Sequence, residues 1–285
     1  MRIAKYRKHE VGDAYVGLIS DDMIIQLGSG PGCLTELLHQ QNRVEVINER
    51  LASAGPPVPL DSVELLAPLD RQEVWGAGVT FERSKKAREE ESDSAALFYD
   101  RVYTAKRPEL FFKATPNRVV GPGKSIRIRR DTNWCVPEPE LALVLSPELE
   151  LIGFTIGDDV SARDIEGENP LYLPQAKMYD ACCALGPWIT LKDAMPAWES
   201  IAIHLEIARD GATVFEGKTP ITRMARTLPE LIGWLAIDNV FPDGVILLTG
   251  TGIIPPDEFT LHPGDQVTMK IDGVGTLSNS VVQFR

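Results

Sequence analysis

The sequence predicts an α+β fold that is mainly β: a small N-terminal α+β domain over residues 1–62, then a mixed β-sandwich or β-roll over 63–285. Strand-like apolar runs dominate the chain after Val63, and helical patterns there are few. Asp-Gly pairs at Asp210-Gly211 and Asp272-Gly273 stand between alternating runs, which is the hairpin signature. A proline-rich break, "AGPPVPL" from Ala54 to Leu60, separates the two parts and reads as a linker.

Taken in order, "MRIAKY", "AYVGLIS" and "MIIQLG" are short strands punctuated by turn signals. "GSGPG" leads into "CLTELLHQQN", where Leu34, Leu37 and Leu38 fall on one helical face. That glycine run lacks both the P-loop lysine and a full dinucleotide fingerprint, so it reads as a turn. Beyond the break, "VELLAPL", "EVWGAGV", "ELFFKA", "SIRIRR", "ELALVLS", "LIGFTIG" and "WITLKD" follow as strands, then the two Asp-Gly hairpins with "GVILLTGTG" between them. The helical interruptions are "FERSKKAREEESDSAALFYDRVYTA", helical in its first half, and "TLPELIGWLAI". In the latter Thr227 is the N-cap and Glu230 holds the capping-box position.

The 285 residues suffice for one large domain, or a large one beside a small one. A net charge of −12 argues against a nucleic-acid partner, because phosphate binding needs a basic surface. There is no apolar run of about 18 residues and no secretory leader pattern, so no membrane partner is expected and the cytoplasm is the default location. Cys33, Cys135, Cys182 and Cys183 form no zinc-ligand spacing and read as free, mostly buried thiols.

The chemistry concentrates in "NWCVPEPELALVL". Glu138 and Glu140 are two positions apart at the mouth of an apolar strand and therefore share a face, roughly 6.5–7 Å apart. Like charges this close need a cation, a shifted pKa or access to water. "ELALVLS", "PELE" and "LIGFTIGDDVSARD" read as strand, turn and strand, which brings Asp158 and Asp159 back beside the pair. Convergent carboxylates of this kind prefer Mg²⁺, with Mn²⁺ or Ca²⁺ as alternatives, over zinc. The bland alternative is a solvated strand end lined with acids.

"EPELALVL", "IGFTIGDDVSARD", "AKMYDACCALGPWI", "LLTGTG" and "LHPGDQVTMKIDGVGTLSN" occur in the order found in the fumarylacetoacetate hydrolase superfamily, which the chain resembles from about Leu69 to its C-terminus. The resemblance implies that family's fold and a metal-dependent enzyme acting on a 2-oxo acid, with Glu138, Glu140 and Asp159 as Mg²⁺ ligands. It places Lys177 and Arg163 in the active site and Thr251 against substrate, and leaves Asp158 outside the ligand set. It also implies a homodimer or homotetramer. Carbon–carbon hydrolases of the family commonly carry a histidine in a segment like "NYxxH". Here "GAGVTFERSKKAREEE" stands in that place, and His9, His39, His204 and His262 all lie elsewhere.

"GVTFERS", with "RPELFFKA" and no lid histidine, resembles the sugar-acid dehydratase branch of the superfamily. That resemblance implies Glu109 and Lys177 as the catalytic pair, one taking a C3 proton and the other protonating the departing C4 hydroxyl, with the two roles interchangeable. Lys113 is a candidate for the substrate carboxylate, or else a lysine snorkelling from a strand end. Thr80 and Ser84 are candidates for sugar hydroxyls, with helix capping as the alternative for Thr80. C–C hydrolysis of an acylpyruvate-like substrate, oxaloacetate decarboxylation and isomerisation share the same metal chemistry. A 2-oxo acid binding protein without turnover is the non-enzyme alternative.

Overall fold

The computed structural model describes residues 1–8, 12–81 and 105–284. The segment expected to be helical after Phe81, with Ser84, lies outside the described residues. The chain opens with β1 (Arg2–Arg7), β2 (Tyr15–Ser20), β3 (Met23–Ser29), helices α1 (Cys33–Leu38) and α2 (Arg43–Ala52), then β4 (Val58–Pro59) and β5 (Glu64–Leu66). Next come β6 (Glu73–Gly78), β7 (Glu109–Ala114), β8 (Val119–Val120), β9 (Ile126–Arg127), β10 (Cys135–Val136), β11 (Pro139–Leu145), β12 (Leu151–Asp159) and β13 (Ser161–Ala162). The helices Arg163–Glu168 and Leu173–Lys177 lead to β14 (Cys183–Leu191), β15 (Ala202–Arg209) and β16 (Ala212–Pro220). Helix Leu228–Leu235, β17 (Val245–Leu248), β18 (Gln266–Ile271) and β19 (Gly275–Val282) complete the chain.

A 12-stranded sheet runs in the order β4-β3-β2-β1-β14-β12-β11-β17-β6-β7, with β5 on β1 and β8 on β14. A five-stranded sheet, β16-β15-β18-β19-β9, packs against its middle. Strand alternation divides the core accordingly. Leu141, Leu143 and Ile156 pack with Ile203, Leu205, Met269 and Leu277 between the two sheets. Ala142, Val144, Leu185 and Leu248, on the opposite face, pack with Leu34, Leu37 and Ile47 of α1 and α2. Both faces of β11 and β12 are thereby covered, which is why "ELALVL" and "LIGFTIG" are continuous apolar runs.

Both Asp-Gly hairpins form. Asp210 and Gly211 take positive φ between Arg209 and Ala212, while Asp272-Gly273 opens the link between Ile271 and Gly275. The Thr227 hydroxyl caps its helix by accepting from the Glu230 N–H at 3.3 Å. Helix α2 escapes sequence reading because Ile47 is its one buried residue, so no apolar stripe marks it. Within the proline-rich segment, Val58–Pro59 pairs with β3 and extends the large sheet. Pro137 and Pro139 flank Glu138 and cannot donate to a ladder, which by itself favours an edge position. Instead β11 lies inside the sheet between β12 and β17, and Pro139 is tolerated as its first residue, because pairing to β17 begins only at Ala142.

Candidate active site

The site lies where β11 begins and β12 ends, on the sheet face that carries Ala142 and Val144. Pro139 pairs with Asp158 and Glu140 with Gly157, and the Asp159 N–H donates to the Glu138 carbonyl at 3.0 Å. Glu138, Glu140 and Asp159 consequently project to the same side. Each offers a carboxylate oxygen within 4.8 Å of the others, and all are buried. Asp158 points the opposite way, into the sandwich, where its Oδ1 accepts the Glu138 N–H at 3.1 Å and burial pushes its carboxyl well above the usual range. Asp158 therefore stands apart from the cluster of three carboxylates.

Cations bracket two of the three acids. Arg163 donates to Glu138 Oε1 at 2.6 Å. Lys177 Nζ reaches Glu138 Oε2 and Asp159 Oδ2, each at 2.9 Å, and Ser161 Oγ at 2.5 Å. The Phe111 ring centroid lies 5.6 Å from the same ammonium. Glu140 differs. Its carboxylate accepts the Gly250 N–H, and among the described residues no cation pairs with it. Burial, then Asp159, then Glu138 drive its carboxyl well above the ordinary glutamate range.

The cavity is lined by these acids with Lys177, Arg163, Thr251, Gly250, Phe111 and the chain around Gly78. Ser161, Phe111 and Gly250 were not singled out from the sequence. Ser161 was legible in principle, two positions beyond Asp159 in "DDVSARD" and buried with it. Thr251, expected against substrate, lines the cavity, and its hydroxyl also closes a local turn with Ile253.

Two residues expected to contact substrate sit behind the wall instead. The Thr80 hydroxyl donates to the Thr249 carbonyl at 2.6 Å and is wholly buried, so it braces the "TGTG" loop. Lys113 is likewise wholly buried, with its ammonium 2.5 Å from Asp159 Oδ1. Glu109, Phe111 and Lys113 form a row on one face of β7, opposite Gly78 and Gly76 of β6. A Cβ on Gly78 would collide with the Glu109 carboxylate, and one on Gly76 with the Phe111 ring. The glycines of "WGAG" thus let these side chains lie across β6, and they bring Glu109 onto the strand end that lines the cavity. Among the described residues no histidine lines it.

The donor set suits a hard divalent cation. Three buried oxygen ligands converge, and the acid without a cationic partner among the described residues is the one whose ionised form the protein disfavours. Mg²⁺ or a similar ion would supply that positive charge.

Comparison with known proteins agrees with this donor set. Residues 74–282 match the model of the fumarylacetoacetate (FAA) hydrolase C-terminal family. The chain is 41% identical over 276 residues to the 2-dehydro-3-deoxy-D-arabinonate dehydratase of Saccharolobus solfataricus, covering 94% of this chain and 92% of that protein. It is 47% identical over 214 residues to the "Probable 2-keto-3-deoxyxylonate dehydratase" of Haloferax volcanii, covering 75% of this chain and 73% of the relative. A solved structure of 2-keto-3-deoxy-D-arabinonate dehydratase complexed with magnesium and 2,5-dioxopentanoate superposes with a TM-score of 0.84 at 38% identity, over 100% of both chains. The ordered motifs, the acidic cluster they assemble and the match over most of the chain show that this protein belongs to the fumarylacetoacetate hydrolase family.

Proposed function

We propose that this protein is a Mg²⁺-dependent dehydratase that removes water from a 2-keto-3-deoxy sugar acid and releases a 2-oxo acid semialdehyde. The observation that carries the reading is the convergence of Glu138, Glu140 and Asp159 with Lys177 in one buried cavity, in a chain whose relatives at 41% and 47% identity are named as dehydratases of such acids. Glu138, Glu140 and Asp159 hold the ion. When bound, it polarises the 2-oxo group and acidifies the neighbouring C3 protons.

The chain's own residues do the rest. Lys177 and Glu109 divide the two proton transfers: one takes a proton from C3, and the other protonates the C4 hydroxyl as its C–O bond breaks and water leaves. What remains tautomerises to the semialdehyde. Arg163 holds Glu138 in place at 2.6 Å, and Thr251 faces the cavity as a substrate contact. Gly78 leaves room for the Glu109 carboxylate to lie across the strand. The same reading carries a homodimer or homotetramer acting in the cytoplasm on a small-molecule substrate.

Incubation with Mg²⁺ and a 2-keto-3-deoxypentonate should yield an aldehyde that a coupled dehydrogenase oxidises, with rates that differ among pentonates, hexonates and diketo acids. Product formation no faster than with Glu138→Gln would rule out dehydration of that substrate.

A further inference from the structure

Resting on the metal reading above, we propose that Lys113 is a positioning residue that aims Asp159 at the metal position and, through the backbone, holds Lys177 beside it. The ammonium has three N–H donors. It lies 2.5 Å from Asp159 Oδ1, 3.0 Å from the Val160 carbonyl and 2.7 Å from the Lys177 carbonyl. The first contact is an ion pair and the other two are hydrogen bonds, and the side chain is wholly buried outside the cavity lining, away from a substrate carboxylate.

The three contacts fall on two parts of the machinery. Asp159 ends β12 and Val160 follows it, so an ion pair and a hydrogen bond fix the strand end from which the carboxylate projects. With Oδ1 held by Lys113, Oδ2 turns to the opposite side, where it meets Lys177 Nζ at 2.9 Å. The second hydrogen bond reaches the last residue of the helix Leu173–Lys177, whose five residues leave it little rigidity of its own. Lys113 therefore ties a metal ligand and a catalytic residue to β7, the strand that also presents Glu109 and Phe111. Residues that orient metal ligands from behind commonly matter 10–100-fold for affinity.

The test is Lys113→Met, which keeps much of the buried stem and removes the ammonium. Calorimetry with Mg²⁺ alone should show affinity about 10–100-fold below wild type. At Mg²⁺ concentrations that saturate the variant, kcat should stay depressed while the KM for the keto acid changes little, because Lys113 does not touch substrate. Wild-type Mg²⁺ affinity in a folded Lys113→Met protein overturns the proposal, and so does full recovery of kcat at saturating Mg²⁺. If Lys113→Met does not fold, Lys113→Met/Asp159→Asn decides: removing the stranded carboxylate should restore a cooperative thermal transition, and failure to do so overturns the coupling to Asp159. Absence of Mg²⁺ binding by the wild-type protein would instead count against the metal reading itself.

Discussion

Two buried acidic centres in this molecule solve the same electrostatic problem in opposite ways. Near α1, Asp70 takes a 2.6 Å contact from Lys5 and accepts both the Thr35 N–H at 2.8 Å and the Thr35 hydroxyl at 2.9 Å. Burial opposes its ionisation, yet Lys5 and Thr35 outweigh burial and hold the carboxyl below its ordinary value. At the ends of β11 and β12, three carboxylates converge and Glu140 is driven the other way by burial and by its acidic neighbours. Asp70 is matched by its surroundings and serves the fold. Among the described residues Glu140 is left in deficit, and a deficit of positive charge in a buried oxygen cluster is a binding capacity.

The largest expected effect is at the deficit. Glu140→Gln should lower Mg²⁺ affinity by more than about 100-fold by calorimetry, beyond what losing a partner behind a ligand costs. The same substitution should raise the melting temperature of the metal-free protein, since it removes a buried charge that its neighbours oppose. Mg²⁺ should then stabilise the wild type against heat and leave the variant nearly unchanged. A metal-free melting temperature below wild type would mean that Glu140 is a structural acid like Asp70.

Asp70→Asn should do the reverse, lowering stability by about 2 kcal/mol in denaturant titrations while Mg²⁺ affinity stays at the wild-type value. A smaller, pH-dependent effect follows from the sign of the shift. A carboxyl held below its unfolded value contributes stability that is complete above the unfolded pKa of about 3.9 and is lost as pH falls through the folded one. Asp265, bridged by Arg209 at 2.8 Å through both carboxylate oxygens, is depressed in the same direction against its own burial. Between about pH 4 and pH 2, the wild-type melting temperature should therefore fall more steeply than that of Asp70→Asn or Asp265→Asn. Equal slopes would show that neither acid is held by its partners. The smallest effect is expected at the Thr227 cap, where Thr227→Ala should cost about 1 kcal/mol and leave turnover unaltered.

Much of the site was legible before the structure, because local periodicity decides which way neighbouring side chains face. Glu138 and Glu140 sharing a face follows from strand geometry, and one short turn suffices to return Asp159 to them. The Thr227 cap and both hairpins rest on equally local chemistry. Thr80 and Lys113 were misread as substrate contacts because their partners are remote: Thr249 lies 169 positions from Thr80, and the Lys177 carbonyl 64 from Lys113. A polar residue near a site motif points into the cavity or away from it according to which strand lies beside it, and spacing carries no such information.

The amino-acid sequence by itself determined the strand content, the order of the motifs, the shared face of the two glutamates and the oxygen-rich chemistry they offer. Those properties are set by residue type and by repeats of two positions along a strand. Only the tertiary structure decided that β11 is interior, that Lys113 spends its ammonium on Asp159 and two carbonyls, and that Glu140 is the acid without a paired cation among the described residues. The balance of charge in a buried site is a sum over groups brought together from distant parts of the chain, and only packing fixes the terms of that sum.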